Sequence, residues 1–501
     1  MLSLSTIAEK VFRSAGATPS VRRYAGAGRS RLVGDWTTSN LSANQEIKDD
    51  LKTLRARSRQ LARDNDYFIG WLRKMEIYVI GLFGLKLQVD AKKNTGDKKD
   101  SLNKKVEDAW ALWCRKENCD VTGQRSFRDI EALALRTLLV DGEFLIRKTI
   151  DAYGPRLQML DVDWLNEDYN DPKLPNGNRI VMSVELDKYD KPVAYHFTHP
   201  KWSAANYVGI TPIVPPAQLH LRVPAAEIIH RFIPERIGQV RGVPSAHGSM
   251  MTLNQLDGFD EAELIGARVG ASNMAFISPP AEADGGVASE DPLDTEVSPG
   301  QILELPAGYT VHEFTPQKPL DTSWSKRMLR KAAGSLGIDY SDFANDLESV
   351  NFSSIRAGTI NSRDGYRMMQ QWIATNLCQD VYSWWLMMST SVVTAGQIQQ
   401  VLYPKWRGRG FDWVDPVKDV QANTMACDRG FKTLSQVHYE AGEDFEDVIL
   451  QLKYEQDFIE ANGVKLQSPS EQAQMQLEQQ QMQQDQADAA AKATAATAGK
   501  K

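Results

Sequence analysis

The chain has 501 residues, enough for about three to four domains on length alone, and reads as a folded protein with one low-complexity end. Its net charge of −7 argues against a coat that wraps nucleic acid on a broad basic surface. Four cysteines, Cys114, Cys119, Cys378 and Cys427, have no further Cys/His pair to complete a zinc site and read as reduced, mostly buried thiols.

Residues 1–45 are rich in Arg, Gly, Ser and Asn and read as a flexible arm; the first 35 lack the apolar core of a signal peptide. Helical patterning runs from about Gln45 through Leu51, Leu54 and Leu61 to Trp71, and Ile77–Val89 reads as a strand broken by its glycines. Further helices are expected over Lys104–Trp113 and Phe127–Asp141. Short β-rich stretches follow at Phe144–Ile150, Arg156–Leu160, Ile180–Leu186 and Val193–Thr198, which together predict a small sheet in an α+β domain. The Pro-, Gly- and Arg-rich stretch Arg231–Pro244 reads as a rigid connector.

A long helix is predicted from about Ser245 to Ala271. Gly258, Gly266 and Gly270 lie inside it, where glycine costs about 1 kcal/mol relative to alanine. Close approach of another backbone would explain them. Strand-like Asn273–Ser278, Ile302–Leu305 and Tyr309–Phe314 flank an insertion without a basic residue from Pro279 to Glu296. A helix over about Asp321–Ser335 returns from it, and Ser353–Met388 reads as a long helix bent near Gly365. Asp415 is a good cap and Pro416 a good first residue for a last helical unit reaching about Glu460. The Gln/Ala-rich end past Gln467 reads as a frayed helix or disorder. The apolar runs Ile77–Leu87 and Trp384–Val393 are well short of the roughly 20 residues of a membrane span.

Little in the chain asks for catalysis or a cofactor. There is no Gly-x-x-x-x-Gly-Lys-Ser/Thr loop, and Gly334-Ser335-Leu336-Gly337 fails as a nucleophile elbow because Ala333 stands where the first glycine is needed. Asp161, Asp163, Glu167, Asp168 and Asp171 form the densest carboxylate cluster, but without an EF-hand's glycine and closing glutamate they read as a solvated loop. His196 and His199, with no zincin glutamate, read as packing or hydrogen-bonding groups.

The segment Val223–Pro244 resembles the central segment of lambda-family bacteriophage portal proteins. Arg22–Ala27, Arg55–Leu61, Asp141-Gly142-Glu143-Phe144, Asp346–Gly358 and Trp413–Lys418 resemble other parts of that family, in the family's order from about Arg22 to about Gly442. One departure is Gly81-Leu82-Phe83-Gly84, where the family usually has a single residue between the glycines; it puts that local turn in question.

The resemblance implies an α+β portal fold and a non-enzymatic homo-oligomeric ring, expected to be a dodecamer, at one capsid vertex. It divides the chain into an arm (1–45), a wing (46–244), a first stem helix (245–272), a clip (273–320) and a second stem helix (321–337). The wing continues over 338–412 with a tunnel loop at 343–354, followed by a helical crown (413–465) and a tail (466–501). Implied partners are double-stranded DNA, the terminase large subunit, the major capsid protein and head-completion or tail adaptor proteins. The place of action would be the virion, after a cytoplasmic stage. A capsid or scaffold protein, or a metal-dependent head hydrolase using the Asp161–Asp171 carboxylates, are the alternatives.

Three sites follow as expectations. Glu282, Asp284, Glu290, Asp291, Asp294 and Glu296 would form an acidic clip surface for basic partners. Asp346, Glu348, Asn351, Phe352, Ser353 and Ser354 would line the channel as a tunnel loop that holds phosphates weakly, although Ser353 or Ser354 could simply cap the next helix. The basic stripe Lys326, Arg327, Arg330 and Lys331 would pair with Asp257, Asp260, Glu261 and Glu263 of a neighbouring subunit, or else face the channel.

Overall fold

The computed structural model describes residues 40–91, 100–198, 220–271, 275–278, 310–313, 322–348 and 352–463. The basic arm to residue 39, His199, the strand expected at Ile302–Leu305, the acidic run Glu282–Glu296, Asn351 and the tail from 464 lie outside the described residues.

The N-terminal helical stretch is two helices, α1 (Ala43–Asp64) and α2 (Asp66–Met75). Asn65 breaks them: its backbone is extended and its side chain accepts the Phe68 N–H at 2.8 Å, capping α2. Ile77–Val89 is not one strand. Glu76–Ile80 continues α2 as a π-helical turn, Gly81 and Gly84 then take left-handed φ, and only β1 (Lys86–Gln88) is extended. A short apolar run has no period that separates helix from strand, and here the buried Val79 and Ile80 complete the helical face.

Helices α3 (Asp100–Trp113) and α4 (Lys116–Cys119) lead to α5 (Phe127–Asp141), which is closed at its N-terminus by a Ser126/Asp129 capping box and at its C-terminus by Gly142 in the left-handed region. β2 (Glu143–Asp151) pairs with β3 (Gly154–Leu160) on one side and, across the chain, with β8 (Ile228–Phe232) on the other. The stretch expected as a single strand at Ile180–Leu186 is a hairpin of β4 (Arg179–Val181) and β5 (Val184–Leu186), extended by β6 (Pro192–Thr198) and β7 (His220–Pro224) into a four-stranded antiparallel sheet. Its turn puts Met182 and Ser183 at φ 46° and 68° without a glycine or asparagine to announce it. Tertiary hydrogen bonds hold it: Ser183 Oγ donates to the Asn166 carbonyl at 2.8 Å, and Asn170 accepts the Met182 N–H at 2.9 Å.

The long helix α6 (Met250–Ala271) begins after a series of turns at Pro244–Ser249 and is followed by a hairpin of β9 (Ala275–Ser278) and β10 (Thr310–Glu313). Helix α7 (Thr322–Leu336) returns, and α8 (Tyr340–Ala344) carries Phe343 into the core rather than into a loop. The predicted long helix is α9 (Phe352–Ile373), a π-helical turn at Ala374–Cys378, and α10 (Gln379–Met388). The irregularity therefore lies beyond Gly365, which sits in regular helix where the Gly337 carbonyl approaches; an added Cβ would meet that oxygen at 3.6 Å. After α11 (Ala395–Val401), β11 (Lys405–Arg407) pairs with β1. The last unit is three helices, α12 (Pro416–Asp428), α13 (Leu434–Glu440) and α14 (Phe445–Ala461). As expected, Asp415 caps α12, accepting the Lys418 N–H at 3.4 Å, with Pro416 as its first residue.

One large core joins α1–α3, α5, β2, α7, α9 and α10. Trp110 is a focus of it, with Trp113, Phe127, Tyr382, Trp385 and Trp406 all ringed about its indole. Each fully buried side chain of this size contributes about 1.5–3 kcal/mol of transfer free energy. A second, smaller core lies under the four-stranded sheet around Leu145, Val162, Val184, Phe197 and Val223. No helix among the described residues is long and apolar enough to cross a membrane.

Candidate functional site

Three of the sequence segments singled out above meet in space. Glu143 follows α5, Arg55 projects from α1, and Arg241 stands in the Arg231–Pro244 connector. All three side chains are almost fully buried. Arg55 donates to Glu143 Oε1, and Arg241 reaches the same oxygen from Nε at 2.8 Å and from Nη2 at 2.6 Å. Glu143 Oε2 accepts from the Gly242 N–H at 2.8 Å and lies 2.9 Å from Nε2 of buried His230. Burial pushes the Glu143 carboxyl up, but Arg241, Arg55 and His230 outweigh it and hold the group well below the ordinary carboxylate value. Burial pulls His230 down, so the neutral imidazole donates to the carboxylate.

The remaining donors of the two guanidiniums are also used. Arg241 donates to the carbonyls of Leu165 and Met182, both at 3.1 Å, which fixes the strained β4–β5 turn. Arg55 donates to Glu167 at 2.7 Å and to the Asp141 carbonyl at 3.2 Å, while Arg59 binds Asp141 at 2.6 Å and also Asp163. The carboxylate cluster at 161–171 is thus not a purely solvated loop. Asp163 and Glu167 are neutralised by Arg59 and Arg55, and Asp161 caps a short turn by accepting the Asp163 N–H at 3.0 Å. Among the described residues no three His, Cys, Asp or Glu side chains are poised to hold a metal ion.

Two glycines allow the segments to approach. Gly142 has φ 90°, and a Cβ there would collide with the Val243 backbone; a Cβ on Gly242 would collide with the Gly142 carbonyl. The connector is also held from outside. Asn44 of α1 donates to the Gly238 carbonyl at 2.8 Å and accepts the Val240 N–H at 3.0 Å. Since α6 starts a few residues later, the ionic centre sets the direction in which that helix leaves the body.

Helix α6 then projects. Beyond Leu256 none of its described side chains is buried, and its contact with α7 includes Phe259 on Trp324, ring centroids 4.3 Å apart. The sequence-predicted stripes are each divided. Asp257 accepts from Asn65 Nδ2 at 2.8 Å, whereas Asp260 and Glu261 face outward and Glu263 is half-buried. Lys326 pairs with Asp346 at 3.1 Å and Arg330 lies 4.9 Å over the Tyr340 ring, whereas Arg327 and Lys331 are exposed. Outside its own helix turn, no described residue comes within 4 Å of a Cβ built at Gly258 or Gly266, so the described residues do not supply the close backbone that would explain them.

The expected tunnel loop is tied down where it begins. Asp346 accepts from Tyr340 Oη at 2.7 Å as well as from Lys326, and Lys74 bonds Asn345 at 2.9 Å and Asp342 at 2.7 Å. Its carboxylate is therefore engaged within the chain, and Glu348 is exposed. Phe352 and Ser353 are already the first residues of α9 and Ser354 follows them. His196 is the hydrogen-bonding group expected, 3.2 Å from buried Glu185, which also binds Arg222 at 2.7 Å. The ionic centre was not expected as a site, although Arg55, Asp141-Gly142-Glu143 and Arg241-Gly242 each stood in a quoted segment.

What this geometry offers is a braced body and projecting surfaces, the parts of an assembly subunit. The sequence matches the family described as phage portal protein, lambda family, over residues 29–370. A probable portal protein of Halomonas phage phiHAP-1 is 32% identical over 449 residues, covering 86% of this chain and 85% of that protein. Portal protein B of Escherichia phage lambda is 20% identical over 483 residues, covering 86% and 89% respectively. The chain belongs to the lambda family of phage portal proteins. Among solved structures it is similar to chains from the neck of an empty gene transfer agent particle (TM-score 0.46, 13% identity, 84% of this chain and 99% of that one) and from the neck of a native one (TM-score 0.44, 13% identity, 77% and 93%).

Proposed function

We propose that this portal protein works as a closed ring of twelve copies at one capsid vertex, passing double-stranded DNA in during packaging and out during ejection, without catalysis of its own. On this reading, residues 46–244 and 338–412 form the wing, 245–272 and 321–337 the stem, 273–320 the clip and 413–465 the crown. The terminase large subunit, and later the head-completion or tail adaptor proteins, dock on the acidic clip residues Glu282, Asp284, Glu290, Asp291, Asp294 and Glu296. The major capsid protein surrounds the ring. The chain is made in the host cytoplasm and ends in the virion.

The observation that carries this reading is the projecting α6–α7 pair. A helix that leaves the core with glycines in open space and charges outward is incomplete alone. Side-by-side stems supply what is missing, with Asp260, Glu261 and Glu263 of one copy beside Arg327 and Lys331 of the next. The overall acidity favours this pairing over phosphate binding, since many phosphate contacts would make transport slow and strongly salt-dependent.

Electron microscopy and native mass spectrometry of the purified protein test the ring directly. Twelve-membered rings with a central hole are expected; shells or a lone monomer at all concentrations would overturn the proposal. Reversing Arg327 and Lys331 to Glu is expected to abolish rings, and reversing Glu261 and Glu263 to Lys in the same chain to restore them in part. If the first variant made normal rings yet packaged no DNA, those side chains would face the channel.

A further inference from the structure

The helices α12, α13 and α14 contain no buried residue at all, although they carry many large apolar side chains. Helix α14 is apolar on two opposite sides. Phe445, Val448, Leu452 and Ile459 recur at helical spacing on one side, and all but Leu452 are half-buried in the chain's own fold. On the other side Leu450, Tyr454 and Phe458, at i, i+4 and i+8, are 65%, 63% and 58% exposed, with the rings of Tyr454 and Phe458 stacked at 6.2 Å. Asp447 and Asp457 lie three residues from Leu450 and Tyr454, so each flanks this second stripe. A helix apolar on both sides has two partners in its working state, and the described residues supply one.

A groove of matching character lies between α9 and the turns around α12 and α13. Its volume is about 880 Å³, and Ile360, Arg363, Arg367, Phe411, Trp413 and Phe431 are among the residues that line it. Ile360, Trp413 and Phe431 are exposed apolar walls. Arg363 and Arg367 both lie over the Phe411 ring, at 5.4 and 5.2 Å. Other cations around the groove are spent: Arg356 on Asp419 at 2.6 Å, Lys432 on Glu440 at 2.8 Å, and Arg367 itself on Asp364 at 3.1 Å. Arg363 has no carboxylate within ion-pair distance among the described residues; burial, with Arg367 beside it, pulls its pKa down against a weaker opposing pull from Asp412 and Asp419.

We infer that the Leu450–Tyr454–Phe458 stripe of one copy seats in the α9 groove of the next copy, with Asp447 or Asp457 supplying the carboxylate that Arg363 lacks. The same chain's α14 does not fill its own groove with this stripe, which is exposed. Each copy thus offers a groove to one neighbour and a helix to the other, a head-to-tail contact that closes when the ring closes. The C-terminal helices complete their packing only on assembly. This inference rests on the ring reading and deepens it.

A photo-crosslinking residue placed at Tyr454 tests it, in rings assembled from a mixture of isotope-labelled and unlabelled full-length chains. Crosslinks to residues 356–367 or 411–413 in label-mixed pairs are expected. Crosslinks confined to one chain, or leading to residues 464–501 or any other surface, would overturn the inference while leaving the ring reading intact. A wild-type protein that makes no ring would defeat both. As a second arm, Arg363→Asp is expected to lower the assembled fraction about tenfold, equivalent to about 1.4 kcal/mol, and Asp457→Arg in the same chain to recover it. Unchanged assembly in Arg363→Asp with unchanged circular dichroism would also count against the contact.

Discussion

The body around Glu143 and the helices after Asp415 solve opposite problems with the same kinds of residue. In the body, carboxylates and guanidiniums are taken out of water and satisfied completely, and distant parts of the chain are locked together around them. In the C-terminal helices, comparable charges sit at the periphery and most of the large apolar side chains stay exposed. One region is finished within the chain; the other awaits a neighbour. Buried ion pairs are poor sources of net stability but severe to break, so the first arrangement specifies geometry more than it adds free energy.

The sharpest way to break that comparison is Glu143→Ala, which leaves Arg55 and Arg241 buried without their shared counter-ion. A loss of about 3–5 kcal/mol is expected, read as a fall in denaturant midpoint of the isolated protein. A loss near zero would mean that water reaches the centre. Gly142→Ala comes next: strain at φ 90° costs about 1–3 kcal/mol, and the collision with the Val243 backbone adds to it. It is expected to destabilise the body and, by displacing the connector, to tilt α6; Gly238→Ala, which meets nothing within 4 Å, has only the φ cost.

A second buried acid sharpens the comparison within the body itself. Glu131 forms no ion pair among the described residues; burial pushes its pKa up to about 8 against weaker opposing pulls from the Cys378 thiol, the Leu85 N–H and Arg128, the first two 3.1 and 3.2 Å from its oxygens. The two acids therefore have opposite linkage. Glu131, raised in the fold, contributes stability that is fully present below the ordinary value of 4.5 and is lost as pH rises through about 8. Glu143, depressed in the fold, contributes stability present above 4.5 and lost as pH falls through its lower folded value, and the depressed His230 acts in the same direction below 6.5. Glu131→Gln is expected to flatten the fall in stability between pH 4.5 and about 8 and leave the limb below pH 4.5 unchanged. A variant that altered the acid limb instead would reverse this assignment.

Much of the fold was legible because its signals are local. Phe127–Asp141 shows a helical stripe between Ser126 and Gly142, and Asp415-Pro416 announces its helix. The α+β class, the small sheet and the α6–α7 return follow from such patterns. What could not be read depended on tertiary partners. Met182 and Ser183 turn a hairpin because Arg241, Asn166 and Asn170 hold them, none of which is nearby in sequence in the required sense. Ile77–Ile80 is helical because α2 continues into it. For the site, the segments containing Arg55, Glu143 and Arg241 were each visible, but their convergence was not, since no spacing rule links residues so far apart. The charged stripes on α6 and α7 were also visible, but not that Asp257 and Lys326 are engaged within the chain.

The smallest effect is expected from removing the unfinished region altogether. A chain ending at Val414 loses α12–α14 but no member of the large core. It also loses the attachments Arg356–Asp419 at 2.6 Å and Arg407–Asp444 at 3.0 Å, the first of them partly exposed and worth at most about 1 kcal/mol. Arg407, buried in the intact chain, also loses the Glu443 carbonyl it donates to, but the truncation opens that edge to water, which can replace both. The melting temperature of the truncated body should therefore move by only a few degrees, about 2–4 °C for each kcal/mol in a domain of this order of size. Ring formation should fail in the same preparation, because the Leu450–Tyr454–Phe458 stripe and the α12–α13 wall of the groove that receives it are both gone. A large fall in melting temperature would show that the C-terminal helices belong to the body's cooperative unit after all; a stable truncated body that still formed rings would show that the stems close the ring without them.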